Sequence, residues 1–221
     1  MDIISLIGFK GSGKDTVANI LCDEVGYTAI AFADSLKDAI STIFCWDREM
    51  MEGATGESRV WRETVDAWWA AKLNIPELTP RWVMQNLGTE VIRKHFNPDI
   101  WRCNVERRIL DMGEGAKVVI TDGRFPNELD LARRYGSKIV RVRRGPDPEW
   151  FDLAVAANAS QDPDQISVLR TRAHESEWAW IGYPTDHVIE NDADISDVHR
   201  IALSYVGIYS ATPSIERTPS T

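Results

Sequence analysis

Nine residues near the start of the chain, Gly8-Phe9-Lys10-Gly11-Ser12-Gly13-Lys14-Asp15-Thr16, constrain its fold more than any other stretch. They follow a short apolar run, Ile3 to Ile7, that reads as a buried parallel strand. They lead into a helical stretch from Lys14 to about Val25. A glycine loop between strand and helix turns backbone N–H groups inward, and the helix N-terminus adds its dipole, which makes a cradle for phosphates. Lys14 supplies a point charge for β- and γ-phosphates. The position after the lysine usually carries Ser or Thr; here it is Asp15, with Thr16 next. An aspartate can hold Mg²⁺ directly or through water. Lys10 and Lys14 are at hand to offset the charge it adds.

The rest of the chain alternates strand and helix around one long helical block. Tyr27 to Ala33 read as a second strand, with Asp34 as N-cap of a helix through about Phe44. Residues 47–113 read as almost entirely helical: Trp61, Val65 and Trp68 recur at helical spacing, and Thr79-Pro80 is an N-cap with proline at the first helical position. Lys117 to Thr121 and Ser137 to Val142 read as strands around a helix at Pro126 to Tyr135. Asp186 to Glu190 and Ser196 to Val206 form a last strand–helix pair. This pattern implies an α/β fold with a parallel sheet flanked by helices. Its core is expected over 1–46 and 114–208, with a helical substrate-binding insertion over 47–113, a lid over 143–180 and a disordered Ser/Thr/Pro-rich tail over 209–221.

Composition removes several classes. A net charge of -9 argues against binding a nucleic-acid polymer, which relies on surplus Lys and Arg. Cys22, Cys45 and Cys103 are scattered, which reads as reduced thiols in the cytoplasm without a disulfide or zinc framework. The apolar start is too short for a signal peptide or membrane span. Charge and composition permit a homodimer without requiring one.

The acceptor side is read from polar residues near expected strand ends, where an open α/β sheet binds ligands. Asp34 can take the proton from an attacking oxygen, and Lys37 can grip an anion, or the pair can be a cap and a solvated lysine. Arg81, Gln85, Thr89 and Arg93 fall four apart and form one drifting helical stripe able to read a phosphate and a base edge, or a solvated face. Gly88 in mid-helix suggests a close approach. Asp122 ends an apolar strand and can hold the water shell of Mg²⁺. Arg124 can reach a transferring phosphoryl group, while Asn127 and Glu128 position it or cap the helix. Arg141, Arg143, Arg144, Arg170 and Arg172 can close over a nucleotide or be surface charges. His174, Glu175 and Glu177 are too compact for a zinc site and read as helix surface. Asn191-Asp192 can meet an adenine or form a turn.

Taken in order, these stretches resemble the deoxynucleoside monophosphate kinases of tailed bacteriophages and bacteria. The carrying motifs are GFKGSGKDT at 8–16, FADSLK at 32–37, TPRWVMQNLGTEVIR at 79–93, PDIW at 98–101, VVITDGRFPNE at 118–128, HESE at 174–177 and HVIENDADISDVH at 187–199. The resemblance implies a P-loop kinase fold and transfer of the ATP γ-phosphate to a deoxynucleoside monophosphate, with Mg²⁺, in nucleotide supply for phage DNA synthesis in the host cytoplasm. Gly11, Ser12, Gly13, Lys14, Asp15 and Thr16 would bind ATP and its metal. Lys10, Leu36, Lys37 and Arg81 would face the acceptor phosphate, with Arg124 near the transferred group. Gln85, Thr89 and Trp101 would line the nucleoside. Arg143 and Arg172 are carried over as lid contacts to ATP. A kinase of another anionic metabolite, such as a coenzyme A precursor or a phosphorylated alcohol, is the alternative; a nucleotide switch lacks a water-positioning motif.

Overall fold

The computed structural model describes residues 1–192 and 195–205, so the expected tail lies outside the described residues. Five strands form one parallel sheet: β1 (Asp2–Ile7), β2 (Thr28–Ile30), β3 (Lys117–Ile120), β4 (Lys138–Arg143) and β5 (His187–Glu190). Their spatial order is β2-β3-β1-β4-β5, with Ile4 opposite both Val119 and Lys138. The strand that feeds the glycine loop therefore lies at the centre.

Period-two alternation sends neighbouring residues to opposite faces. Ile3, Ile7, Val118, Ile120 and Ile139 join one core; Ile4, Leu6, Val119, Val140 and Val142 join the other. The second core is closed by α1 (Lys14–Val25) and α11 (Ile195–Tyr205), through Val17, Leu21, Val198 and Ala202. Burying side chains like Val17 and Leu21 stabilises by about 2 kcal/mol each. Packing therefore holds α1, whose N-cap is Gly13 with no side-chain cap.

The first core is covered by a 3-10 turn (Met50–Glu52) and by the remaining helices. These are α2 (Asp34–Phe44), α3 (Gly56–Glu63), α4 (Ala67–Leu73), α5 (Pro80–Gln85), a π-helix (Asn86–Phe96), α6 (Ile100–Met112), α7 (Pro126–Arg134), α8 (Phe151–Ser160), α9 (Pro163–Arg172) and α10 (Glu175–Trp178). Thr79 caps α5 by accepting from Trp82 N–H at 3.0 Å, ahead of the proline at its first position. Among the described residues no helix is long and apolar enough to cross a membrane.

Three local expectations are corrected. The second strand stops at Ile30 because the N–H groups of Phe32 and Ala33 donate to the Asp122 carboxylate (2.7 and 3.0 Å). Asp34 is the first residue of α2 and not its cap; its carboxylate turns back to accept from Ala31 N–H at 2.9 Å. Trp61, Val65 and Trp68 share no helix, since α3 ends at Glu63 and α4 starts at Ala67.

Candidate active site

The glycine loop has the backbone its sequence demands. Gly8 (φ +143°) and Gly13 (φ +98°) lie in regions L-residues rarely adopt. A Cβ on Gly8 would sit 2.2 Å from the Val142 carbonyl, and one on Gly13 would sit 2.1 Å from Asn191 Nδ2. Asn191 in turn donates to the Ser12 carbonyl at 2.7 Å. It braces the loop from beyond β5, a role its distance in sequence concealed. Phe9 points away from the cavity into an aromatic seat, edge-on to Trp150 and Trp180 at 5.7 and 5.0 Å.

Lys14 is folded into the loop, its amine donating to the carbonyls of Gly8 and Phe9 (both 2.9 Å). Burial first, and then the positive charge of Arg124, lower it from 10.5 to about 8, against the opposing pull of Asp15, Glu177 and Asp122.

The loop opens on a cavity of about 990 Å³ along the carboxyl edge of the sheet. Nine Lys and Arg side chains line it against six carboxylates, in a chain whose net charge is -9. Nine of the chain's 25 Lys and Arg thus converge here, as anion binding by an acidic protein requires.

On the loop side the wall includes Lys10, Gly11, Gly13, Lys14, Asp15 and Thr16, with Ser12 buried behind. Across from them stand Asp34, Leu36, Lys37, Arg81, Gln85, Thr89 and Trp101; Asp122, Arg124 and Glu128 complete the expected set. Three expected residues are elsewhere. Asn127 borders a neighbouring cavity, held by Asp99 at 2.8 Å. Arg143 is turned to Glu190 (3.3 Å) and Asp147, and Arg172 is exposed at the end of α9; among the described residues Arg144 is the arginine after β4 that lines the cavity.

The stripe Arg81, Gln85, Thr89, Arg93 reaches the cavity for a reason the sequence hid. In an α-helix, steps of four drift by about 40° each. After Gln85 the helix widens to i→i+5 bonding, where a turn holds more than four residues, so the drift reverses and the stripe stays on one side. The close approach at Gly88 is Leu36, whose Cδ2 lies 2.5 Å from where a Cβ would be. The Gly88 carbonyl accepts from Trp101 Nε1 at 2.9 Å.

Five of the six acids of the cavity, Asp34, Glu52, Asp122, Glu128 and Glu177, are already engaged. Asp34 accepts from Arg108 at 2.9 Å. Glu128, only 2% exposed, pairs with Arg93 at 2.5 Å and accepts from the N–H groups of Arg124 and Phe125 (2.9 and 3.1 Å). Burial pushes its carboxyl up against the pull of Arg93. Burial likewise pushes Asp122 up, opposed by Lys37 and the N–H groups of Phe32 and Ala33. Glu177, expected on a helix surface, instead turns inward and accepts from Arg81 (3.2 Å) and Arg124 (3.0 Å). Arg62, which the sequence reading passed over, also lines the cavity and donates to the Glu52 carbonyl at 2.9 Å.

Two features test whether ATP and Mg²⁺ fit. Gly13 leaves the first turn of α1 without a side-chain cap, and Ser12 Oγ is buried without a partner among the described residues, as a phosphate cradle would have them. No group of three or more His, Cys, Asp or Glu able to hold a metal exists among the described residues. A magnesium ion carried mainly by phosphates and water needs none, and Asp15, Thr16 and Asp122 offer hard oxygens on the same cavity.

A family model described as deoxynucleotide monophosphate kinase matches residues 54–155, from the start of α3 into α8. A protein of Acanthamoeba polyphaga mimivirus, provisionally named a deoxynucleotide monophosphate kinase, is 32% identical over 154 residues, spanning 65% of this chain and 75% of its own length. Among solved structures, dephospho-CoA kinase from Campylobacter jejuni is 14% identical with a TM-score of 0.45, covering 93% of this chain and 95% of its own. Shikimate kinase from Aquifex aeolicus is 17% identical with a TM-score of 0.41, covering 94% and 97%. Structural likeness at that level carries no argument about chemistry.

Proposed function

The chain belongs to the deoxynucleotide monophosphate kinase family, and we propose from that premise that it transfers the γ-phosphate of ATP to a deoxynucleoside monophosphate, releasing ADP and the diphosphate. The observation that carries this reading is one continuous cationic cavity with the phosphate loop at one end and the Arg81–Thr89–Trp101 wall at the other.

Lys14 and the uncapped first turn of α1 hold the β- and γ-phosphates. Lys10, Lys37 and Arg81 hold the acceptor phosphate with Leu36 behind it, while Gln85, Thr89 and Trp101 contact the nucleoside. Arg124 faces the group in flight and offsets charge spread over its equatorial oxygens. An acceptor oxygen bonds to the γ-phosphorus as the bond to the β–γ bridging oxygen breaks, and the electron pair leaves with ADP. Mg²⁺, when bound, would supply positive charge to offset that of the phosphates; Asp15, Thr16 and Asp122 are the residues that would hold its shell.

The acceptor monophosphate has lost its second proton by about pH 6, so its attacking oxygen needs no general base. Asp34, with its carboxylate committed to Arg108 and Ala31, therefore serves to position the start of α2 rather than to take a proton. Helices α3 to α6 form the acceptor wall, and α8 to α10 the covering segment. We place the reaction in nucleotide supply for phage DNA synthesis in the host cytoplasm; the mimivirus relative is in keeping with a viral source only.

The test is ADP release with ATP and Mg²⁺ against a panel of deoxynucleoside monophosphates, ribonucleoside monophosphates and non-nucleotide acceptors. Turnover is expected with the deoxynucleotides. ADP release at the same rate without acceptor would sink the kinase reading.

A further inference from the structure

Four cations assigned to the phosphate in flight or to its acceptor are each bound to a glutamate. Lys10 is held by Glu63 at 2.7 Å and Lys37 by Glu52 at 2.5 Å. Arg81 lies between Glu63 (3.5 Å) and Glu177, and Arg124 is held by Glu177. Glu63 and Glu52 are half-exposed rim residues, so replacing them with another anion costs little.

Glu177 is different. Its side chain is 17% exposed, and the single atom Oε1 accepts from Arg81 Nη2 and Arg124 Nη1 together. Arg124 also donates to the carbonyl of Ser176 at 3.2 Å. Three separate elements thus meet at one oxygen: α5, the loop between β3 and α7, and α10. Two guanidinium groups so close repel unless an anion sits between them, and an oxygen shared by two arginines is also how a phosphate oxygen is gripped.

We propose that Glu177 is an internal counter-anion, holding Arg81 and Arg124 convergent in the empty enzyme and displaced when the acceptor phosphate takes its place, which frees α10 from the cleft. The proposal rests on the reading of Arg81 and Arg124 as phosphate ligands. An incoming phosphate must compete with a carboxylate already at its site, so the acceptor is bound less tightly than the arginines alone allow. The competition also excludes weakly charged anions from an otherwise strongly cationic cavity.

The experiment compares wild type with E177Q, which keeps shape and loses charge, and with E177A. Calorimetry at fixed ionic strength measures binding of sulfate and of a deoxynucleoside monophosphate, and steady-state kinetics measures both KM values. Both ligands should bind E177Q and E177A about tenfold more tightly, equivalent to roughly 1.4 kcal/mol. KM for the acceptor should fall by a similar factor while KM for ATP changes little. In the wild type, hydrogen exchange of residues 175–178 should quicken when the monophosphate binds. Unchanged or weaker sulfate binding in both variants would overturn the proposal, as would exchange at 175–178 that ligand leaves unmoved. Sulfate binding does not depend on turnover: tighter sulfate binding with every acceptor inert would uphold the counter-anion and sink the kinase reading instead.

Discussion

ATP affinity should depend on pH through Lys14, in a direction opposite to the pH dependence of stability. Burial and Arg124 lower the amine from 10.5 to about 8, a bias of roughly 3 kcal/mol against the charged form. The polyphosphate binds the charged form, so above pH 8 each ATP must bring a proton to Lys14. Affinity is expected to be level up to about pH 7.5 and then to fall roughly tenfold between pH 8.5 and 9.5. The terminal phosphate of ATP has lost its last proton well below this window, at about pH 6, so it contributes nothing to the slope. Stability has the reverse sign. The folded value lies below the unfolded one, so the penalty on the native state is full below pH 8 and is relieved as pH rises from 8 to 10.5. Calorimetric titration with ATP in two buffers of different ionisation heat measures the proton uptake, expected at about one half per ATP at pH 8. Affinity that stays level from pH 7 to 9.5, with no dependence on buffer, would refute the argument that burial has shifted this amine.

Removing Arg93 leaves Glu128 as an unpaired buried acid, so Arg93→Ala should cost about 3 kcal/mol near pH 7.5 in denaturant unfolding. The loss should shrink toward pH 5 as Glu128 takes a proton; a loss under about 1 kcal/mol, or one insensitive to pH, would count against the pair. Trp101→Phe removes the donor to the Gly88 carbonyl and should lower stability by about 1 kcal/mol while raising KM for the deoxynucleotide more than for ATP. Equal changes in both constants would place Trp101 wrongly. Asn191→Ala frees the Ser12 carbonyl at the back of the loop and should raise KM for ATP several-fold with the acceptor KM nearly unchanged. An acceptor effect as large as the ATP effect would contradict that assignment.

The features legible in the sequence are those decided by neighbours along the chain. The strand–glycine loop–helix run, the Thr79-Pro80 helix start and the alternating apolar strands each follow from local rules, and the α/β architecture follows from them. Features decided by distant partners were hidden. Asp34 reads as a helix cap or a proton acceptor because Arg108, which claims it, lies 74 residues further on. Asn127 and Glu128 looked equivalent, but only Glu128 turns inward, because Arg93 and the N–H groups of Arg124 and Phe125 supply its partners. Strand parity separates Arg143, still in β4, from Arg144 just past its end. The π-helix has no signature in a 3.6-residue period, so the cavity-facing stripe was found under the wrong geometry. Glu177 was visible in its motif, but its inward turn depends on two arginines from other parts of the fold.

The aromatic seat under Phe9 has a practical consequence. Phe9 contributes one of the two carbonyls that hold the Lys14 amine, while its ring touches the indoles of Trp150 and Trp180. A phosphate that drew Lys14 away would break that hydrogen bond and is expected to alter the ring contact next to it. The emission of these two tryptophans, among nine in the chain, is therefore expected to change when nucleotide is added, readable by stopped flow without a dye. Substituting Phe9 with leucine would silence the signal at its source, while the loop glycines and Lys14 remain as they are.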